Sequence, residues 1–379
     1  MFWFFRRLFG TRVTPMNKVF ISADNIIHNY KVLQWLQPQA DIFPVIKANA
    51  YGHGLKQITE ILDRTDAKYL VVDSFPEYKI VSKHTDKKIL VLGETLPENY
   101  KKFDRKKVTF CVYNMKVLEI LADREEPVTV HLFLNTGMYR EGIDEHQIGP
   151  VVKFCMQHPH ITIEGVLSHF HSADVLGTYS MDEQITKFKA MYYQILNAGL
   201  TPAYRYIANS AGTLKMKDDF FNACRPGLAL YGYNPLQPSD EFYDNGRKLK
   251  PALSITSRLI AMHDVPAGQW VSYEYQWIAM SSTTVGVVPF GYAEWLPRSA
   301  SNKISFRRKG KKIDQIGRIT MNLSCVDLGD RSVRYGDEIE IVSNDPKAPN
   351  SLYALAQASD TIVYENLVRI DKSLRREII

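Results

Sequence analysis

The stretch DIFPVIKANAYGHG (41–54) starts as an apolar run of strand length, ends that run on Lys47, and breaks into small residues and two glycines. Seven more apolar runs follow: YLVVD (69–73), ILVLG (89–93), VTFCV (108–112), VTVHLFL (128–134), TIEGVL (162–167), YRYIA (204–208) and FFNAC (220–224). Helical patterns separate most of them, such as Met181–Ala198. Upstream, Ser22–Leu36 puts Ile26, Tyr30 and Leu33 on one helical face, with Ser22 or Asp24 as its cap. Strands alternating with helices imply parallel pairing. Eight such units predict an α/β chain whose N-terminal part, 17–245, is a (β/α)8 TIM barrel.

Beyond residue 245 the texture changes. LSITSRLIAM (253–262), TTVGVVPF (283–290), NKISF (302–306) and DEIEIVS (337–343) alternate and are joined by turn chemistry. Helical period returns near Leu352–Ala358, so 246–379 reads as a mostly β C-terminal domain. The first sixteen residues read as an extension, with Met16 as the natural start. Its MFWFFRRLFG (1–10) is interrupted by Arg6 and Arg7, is far shorter than a membrane span and lacks the parts of a signal peptide. A cytoplasmic protein without stable membrane insertion is expected.

Composition narrows the classes. With 379 residues, 45% hydrophobic and 23% charged, the chain is neither disordered, collagen-like nor a small disulfide scaffold. A net charge of +6 is too weak to argue for nucleic acid. The basic run Arg307–Lys312 contains Gly310 and reads as a solvated hairpin tip. Cys111, Cys155, Cys224 and Cys325 are scattered, with no CxxC pair, as expected of reduced thiols.

In a barrel enzyme, chemistry sits at the C-terminal ends of the strands. Five of the eight runs end on site-type residues: Lys47, Asn135–Arg140, His169, Asn209–Gly212 and Arg225–Gly227. Each alone is an ordinary loop residue; together they converge on one mouth. The loops after the seventh and eighth runs carry Ser210 and Gly227, where barrels commonly bind phosphate. No GxxxxGK[ST] motif and no GxGxxG after a strand is present, so a phosphorylated cofactor fits better than a nucleotide. A lysine at a strand end, partly desolvated, favours the neutral amine that a Schiff base needs.

VIKANAYGHG (45–54) resembles the pyridoxal-phosphate lysine segment of the alanine racemase family. NTGMYR, GVLSHFHSAD, ANSAGT, RPGLALYG, VSYEYQW, GYAEW, GRITMN and VYE follow in the family's order, from about residue 17 to 370. The resemblance implies a homodimer with shared sites, each subunit a barrel plus a β domain, that racemises alanine to supply D-alanine for peptidoglycan. It implies that Lys47 carries pyridoxal 5'-phosphate and moves the α-proton on one face. Tyr273, from the partner subunit, is then the base on the other. Tyr51, Ser210, Gly227, Leu228 and Tyr364 match phosphate-holding positions. His169 matches the residue against the ring, and Arg225 the arginine facing the pyridine nitrogen. A His169–Arg225 contact is expected to supply positive charge to Tyr273. Arg140 and the backbone of Met321 match the substrate carboxylate contacts, and Tyr292 lines the entrance.

The departures matter. The family often carries a carbamate-modified lysine where Phe133 stands, and an aspartate where Asn135 stands. Phe133 forms no carbamate, so Arg140 needs another partner: Asn135, Glu141, Glu274 or a small anion such as chloride. Glu274, Glu294, Trp295 and Asn322 also depart from the family's SYG, YADG and TMD patterns. A racemase of broader or different specificity, for example for serine, and a barrel decarboxylase using the same cofactor remain alternatives. His158, His160, His169, His171 and Asp174 raise a metal-dependent hydrolase, but no third ligand set stands at other strand ends, so no metal is expected.

Overall fold

The computed structural model describes residues 14–123, 125–329 and 332–379, and the reading of residues 1–13 lies outside them. The chain divides into two compact units, Ser22–Ala252 and a second built from residues up to Ile21 with Leu253–Ile379. Strand β1 (Lys18–Ile21), read above as the start of the barrel, belongs to the second unit. It pairs antiparallel with Leu253–Thr256 and parallel with Arg375–Ile378, which satisfies both of its edges.

All eight predicted barrel runs contain a strand: β2 (Asp41–Ile42), β3 (Tyr69–Val72), β4 (Lys88–Val91), β5 (Val108–Val112), β6 (Val128–Phe133), β7 (Ile161–Leu167), β8 (Tyr204–Tyr206) and β9 (Ala223–Cys224). β3 to β8 form one parallel sheet in sequence order, and β2 pairs parallel with β9. The ring closes through a Val45–Val71 bridge and through Arg225 N–H donating to Ala208 O at 2.8 Å. β2 is shorter than its run because Pro44 has no N–H to donate; its carbonyl still accepts from Val71 N–H at 2.9 Å. Ser22 Oγ caps the helix Ala23–Leu36, which buries Ile26, Tyr30 and Leu33 as its period requires.

Phe43, Val45, Tyr69, Leu90, Phe133 and Tyr206 are among the side chains that fill the barrel interior. Phe133 is 4% exposed, in the core rather than at the mouth. One polar island lies within this interior. Glu164 accepts from Tyr69 Oη and from Lys88 Nζ (3.0 Å), and Tyr206 Oη meets His131 Nδ1 at 2.6 Å. Burial pushes the Glu164 carboxyl up, but the surrounding His131, Tyr69 and Lys88 groups outweigh it and hold it at about 2.

The second unit is one nine-stranded sheet: β1, β10 (Leu253–Arg258), β11 (Ala261–Val265), β12 (Thr283–Val288), β13 (Ser305–Arg308), β14 (Lys311–Ile316), β15 (Ser324–Gly329), β16 (Glu338–Val342) and β17 (Arg375–Ile378). Lys309 and Gly310, with φ of 48° and 77°, turn β13 into β14, so the basic run is a hairpin tip. β1, β14, β15 and β17, and a helix at Val363–Arg369, are additions to the sequence reading.

Candidate active site

Directly after Ile46 the backbone leaves the strand direction. Ala48, Asn49, Ala50 and Tyr51 take φ of 54°, 55°, 53° and 50°, a left-handed helical turn. Such a turn costs roughly 1–2 kcal/mol per non-glycine residue. Glu77 holds it: its two carboxylate oxygens accept from Ala48 N–H (2.7 Å) and Asp73 N–H (2.8 Å). Asn49 Oδ1 accepts from Leu55 N–H at 3.0 Å, and Gly52 closes the turn at φ 78°. Lys47 therefore leaves the barrel on a fixed base, with Nζ 3.1 Å from Asp73 Oδ1.

Lys47 opens on a cavity of 630 Å³ that Asp73, Glu94, Tyr113, Arg140 and Glu141 also line. Arg140 donates from Nε and Nη2 to the two oxygens of Glu141, at 2.7 and 2.8 Å. Asn135 does not pair with it. Its Oδ1 accepts from Gly137 and Tyr139 N–H, and its Nδ2 donates to Asp144 at 2.8 Å. Glu274 is engaged in the other unit.

Arg225 is buried under this mouth. Its Nη2 donates to Ser168 O (2.7 Å) and lies 3.4 Å from His169 Nδ1, while Tyr206 presents its ring 5.6 Å away. Its Nε–H is buried with no hydrogen-bond partner. Burial, followed by the charges of Arg225, Arg140 and Lys47, pulls the His169 imidazole down to about 3. His169 is therefore neutral, with Nδ1 accepting from Arg225 and its proton on Nε2. Of the expected His169–Arg225 pair, only the guanidinium carries positive charge.

Ser210 Oγ accepts from the N–H groups of Gly227 (3.0 Å) and Ala229 (3.1 Å), which leaves its hydroxyl hydrogen to donate. Gly227 is held to glycine by its neighbour: a Cβ there would lie 2.3 Å from Tyr51 Oη. Tyr51 stacks on Tyr231 at 5.0 Å, and burial raises its phenol to about 12. Leu228 follows as the first residue of a short 3-10 helix. The barrel unit thus brings Lys47, Tyr51, Arg140, His169, Ser210, Arg225, Gly227 and Leu228 to the strand ends.

In the β unit, Tyr273 is 67% exposed on a loop pinned from both sides. Ser272 Oγ donates to Arg318 O (2.8 Å), and Glu274 receives Arg298 (2.8 Å) and Arg318 (2.7 Å). Tyr292 and Met321 are brought together: Tyr292 N–H donates to Thr320 O (3.0 Å) and Ala293 N–H to Met321 O (2.8 Å). Two departures from the family pattern answer each other here, as Asn322 Nδ2 donates to Glu294 at 3.0 Å. Tyr364 stands exposed on the helix Val363–Arg369.

The barrel residues fit a phosphorylated heteroaromatic cofactor. An amine stands at the cavity, an unpartnered buried N–H waits for a ring acceptor, and a hydroxyl and a side-chain-free glycine stand where phosphate is expected. Asp73, Glu77 and Gln184 are additions to the sequence reading, whereas Glu141 was one of the partners it offered for Arg140. Asp73 ends the run YLVVD and carried the strand-end signal. Gln184, which donates to Thr136 (3.0 Å) and His169 O (2.9 Å), lies inside a helix where no pattern marks it.

Comparison with known proteins covers almost the whole chain. Residues 21–235 match the model for the alanine racemase N-terminal domain, and residues 252–378 that for the alanine racemase C-terminal domain. An alanine racemase of Staphylococcus saprophyticus is 33% identical over 94% of this chain and 93% of its own. The crystal structure of alanine racemase from D-cycloserine-producing Streptomyces lavendulae superposes with a TM-score of 0.90 at 28% identity, covering 97% of this chain and 98% of that one. The enzyme of Bartonella henselae, solved with covalently bound pyridoxal phosphate, shares the fold at a TM-score of 0.83 and 22% identity, over 97% and 100% of the two chains.

Proposed function

The chain belongs to the alanine racemase family, and from that premise we propose how its residues divide the reaction. The enzyme interconverts L- and D-alanine with pyridoxal 5'-phosphate and supplies D-alanine for peptidoglycan. Lys47 Nζ holds the cofactor and moves the α-proton on one face of the substrate. Tyr273 Oη moves it on the other, so one proton leaves and one returns, with no net change. The bound cofactor spreads the charge left at Cα over its ring. Arg225 offers its unpartnered Nε–H to the ring nitrogen. A guanidinium gives up no proton at neutral pH, so Arg225 would hold the ring nitrogen by a hydrogen bond without protonating it. His169 lies against the ring as a neutral imidazole. Ser210, Tyr51, Gly227, Leu228 and Tyr364 hold the phosphate. Arg140 and the Met321 backbone take the substrate carboxylate, with Tyr292 at the entrance.

The observation that carries this assignment is the fixed exit of Lys47 at a cavity at the barrel strand ends, with the buried Arg225 Nε–H left without a partner at another strand end of the same barrel. The test incubates the purified enzyme with a panel of L-amino acids in deuterium oxide. Inversion coupled to α-deuterium incorporation is expected for alanine; exchange without inversion, or loss of carbon dioxide, contradicts it.

Two coarser points extend the reading. Among the described residues no helix is long and apolar enough to cross a membrane; a cytoplasmic location is part of the proposal. The proton carriers lie in different units, in keeping with a homodimer whose sites are shared. Mixing inactive Lys47→Ala and Tyr273→Phe subunits leaves one heterodimer site with neither lesion, so activity returns. No recovery despite proven subunit exchange contradicts sharing.

A further inference from the structure

The loop from Asn135 to Ile143 is folded tightly on the end of β6. Ile143 N–H donates to Phe133 O (2.8 Å), and Asn135 N–H donates to Ile143 O (2.9 Å). Gly142 sits against Phe133 with φ 121°, and a Cβ there would lie 3.0 Å from the Phe133 ring and 2.8 Å from Asn135 N. Phe133 is thus the apolar seat on which the loop turns. The turn has a chemical result: the neighbours Arg140 and Glu141 meet in a two-bond pair at the cavity wall.

We propose that Glu141 is the positioning residue for the substrate carboxylate, acting through Arg140. This rests on the reading of Arg140 as the carboxylate contact. A guanidinium has five N–H donors in one plane. Glu141 takes the side edge, Nε and Nη2. The end edge, Nη1 with the second hydrogen of Nη2, is left as a fork for a second carboxylate. Held on one edge, the guanidinium has lost the freedom to rotate, and the fork keeps its direction before substrate arrives. Glu141 also offsets the arginine's charge, so no carbamate and no small anion is needed beside Phe133. The carboxylate that orients Arg140 comes from the next residue of its own loop, while Phe133, on which that loop turns at Gly142, is apolar.

The test uses the holoenzyme and propionate, which has the substrate's carboxylate but no amine to react. Calorimetry reads its Kd, and steady-state kinetics reads KM and kcat for L-alanine, in wild type, Glu141→Gln, Glu141→Asp and Arg140→Ala. The Glu141 side chain is 30% exposed, so the substitutions are compatible with folding, which Tm verifies. Glu141→Gln is expected to raise the propionate Kd and the alanine KM about tenfold, with a smaller change in kcat. Glu141→Asp recovers part of the loss. Wild type keeps its Kd and KM in chloride-free, carbon-dioxide-depleted buffer. If Arg140→Ala loses propionate and Glu141→Gln does not, Glu141 has no positioning role. If Arg140→Ala binds propionate like wild type, the assignment of Arg140 itself falls. A rise in the wild-type KM on removing chloride or bicarbonate, reversed by adding it back, shows that a small anion or a carbamate does the work and overturns the proposal.

Discussion

Two strand ends of the barrel treat the family pattern differently. After β2, the segment from Lys47 to Gly54 keeps the residues on which the family resemblance rests, whereas β6 ends on Phe133 where that resemblance expects a lysine, and its loop has Asn135 where it expects an aspartate. The difference lies in what each must supply. The Lys47 segment supplies a backbone path: four successive left-handed residues, clamped by Glu77, aim one amine. A path of that kind admits few substitutions. The β6 loop supplies a direction and a charge for Arg140, and a carboxylate does so from any neighbouring position within reach. Glu141 does so here at 2.7 and 2.8 Å.

The sharpest way to break the comparison is at Lys47. Lys47→Ala should abolish cofactor absorbance and racemisation together, since among the described residues no other lysine lines that cavity. A variant that still shows the yellow aldimine band, which borohydride then bleaches while fixing the cofactor on another lysine, contradicts the assignment.

Restoring the family residue in the β6 loop should harm the protein. In Asn135→Asp the donor to Asp144, now 2.8 Å away, becomes a second carboxylate. Like charges at that separation should cost about 1–3 kcal/mol. A lower Tm is expected, recovered by adding Asp144→Asn. An unchanged Tm means that the loop does not depend on this pair.

Acid should weaken the barrel in two stages. His169 is held at about 3 against an ordinary 6.5, so the unfolded chain binds the extra proton first. Its contribution is whole above pH 6.5 and fades as pH falls toward 3, at most about 1.4 kcal/mol per pH unit. Glu164 is held at about 2 against an ordinary 4.5, so its contribution is whole above 4.5 and is lost as pH falls through 2. Urea unfolding of His169→Phe should show a shallower loss than wild type between pH 6.5 and 4.5. Identical slopes remove His169 from the account.

Much of this was legible in the sequence because barrel strands are buried on both faces and read as continuous apolar runs. Each of the eight runs contains a strand, and the polar residues at their ends meet at one mouth. Strand lengths were less legible where Pro44 cuts β2 short and where Phe221 N–H is taken by Asp218 O in the turn before β9. In the β unit, SCVDLG (324–329) alternates buried and half-buried positions with a cysteine and an aspartate outward, which hides its strand character. β1 becomes a strand only by pairing with β10 and β17, and β17 only by pairing with β1, in each case across more than 200 residues of chain. Glu141 escaped a firm assignment for a related reason. Adjacent side chains ordinarily point apart, and only the turn at Tyr139 and Gly142, with φ of 52° and 121°, brings it back to Arg140.

The proposed division of the reaction gives Lys47 and Tyr273 one face of the substrate each. Following α-deuterium incorporation separately from L- and D-alanine by Tyr273→Phe in deuterium oxide tests it most directly. The account predicts that one enantiomer still exchanges its α-proton without inverting, while the other is inert and the cofactor remains bound. Inversion of both enantiomers at the wild-type rate would contradict it.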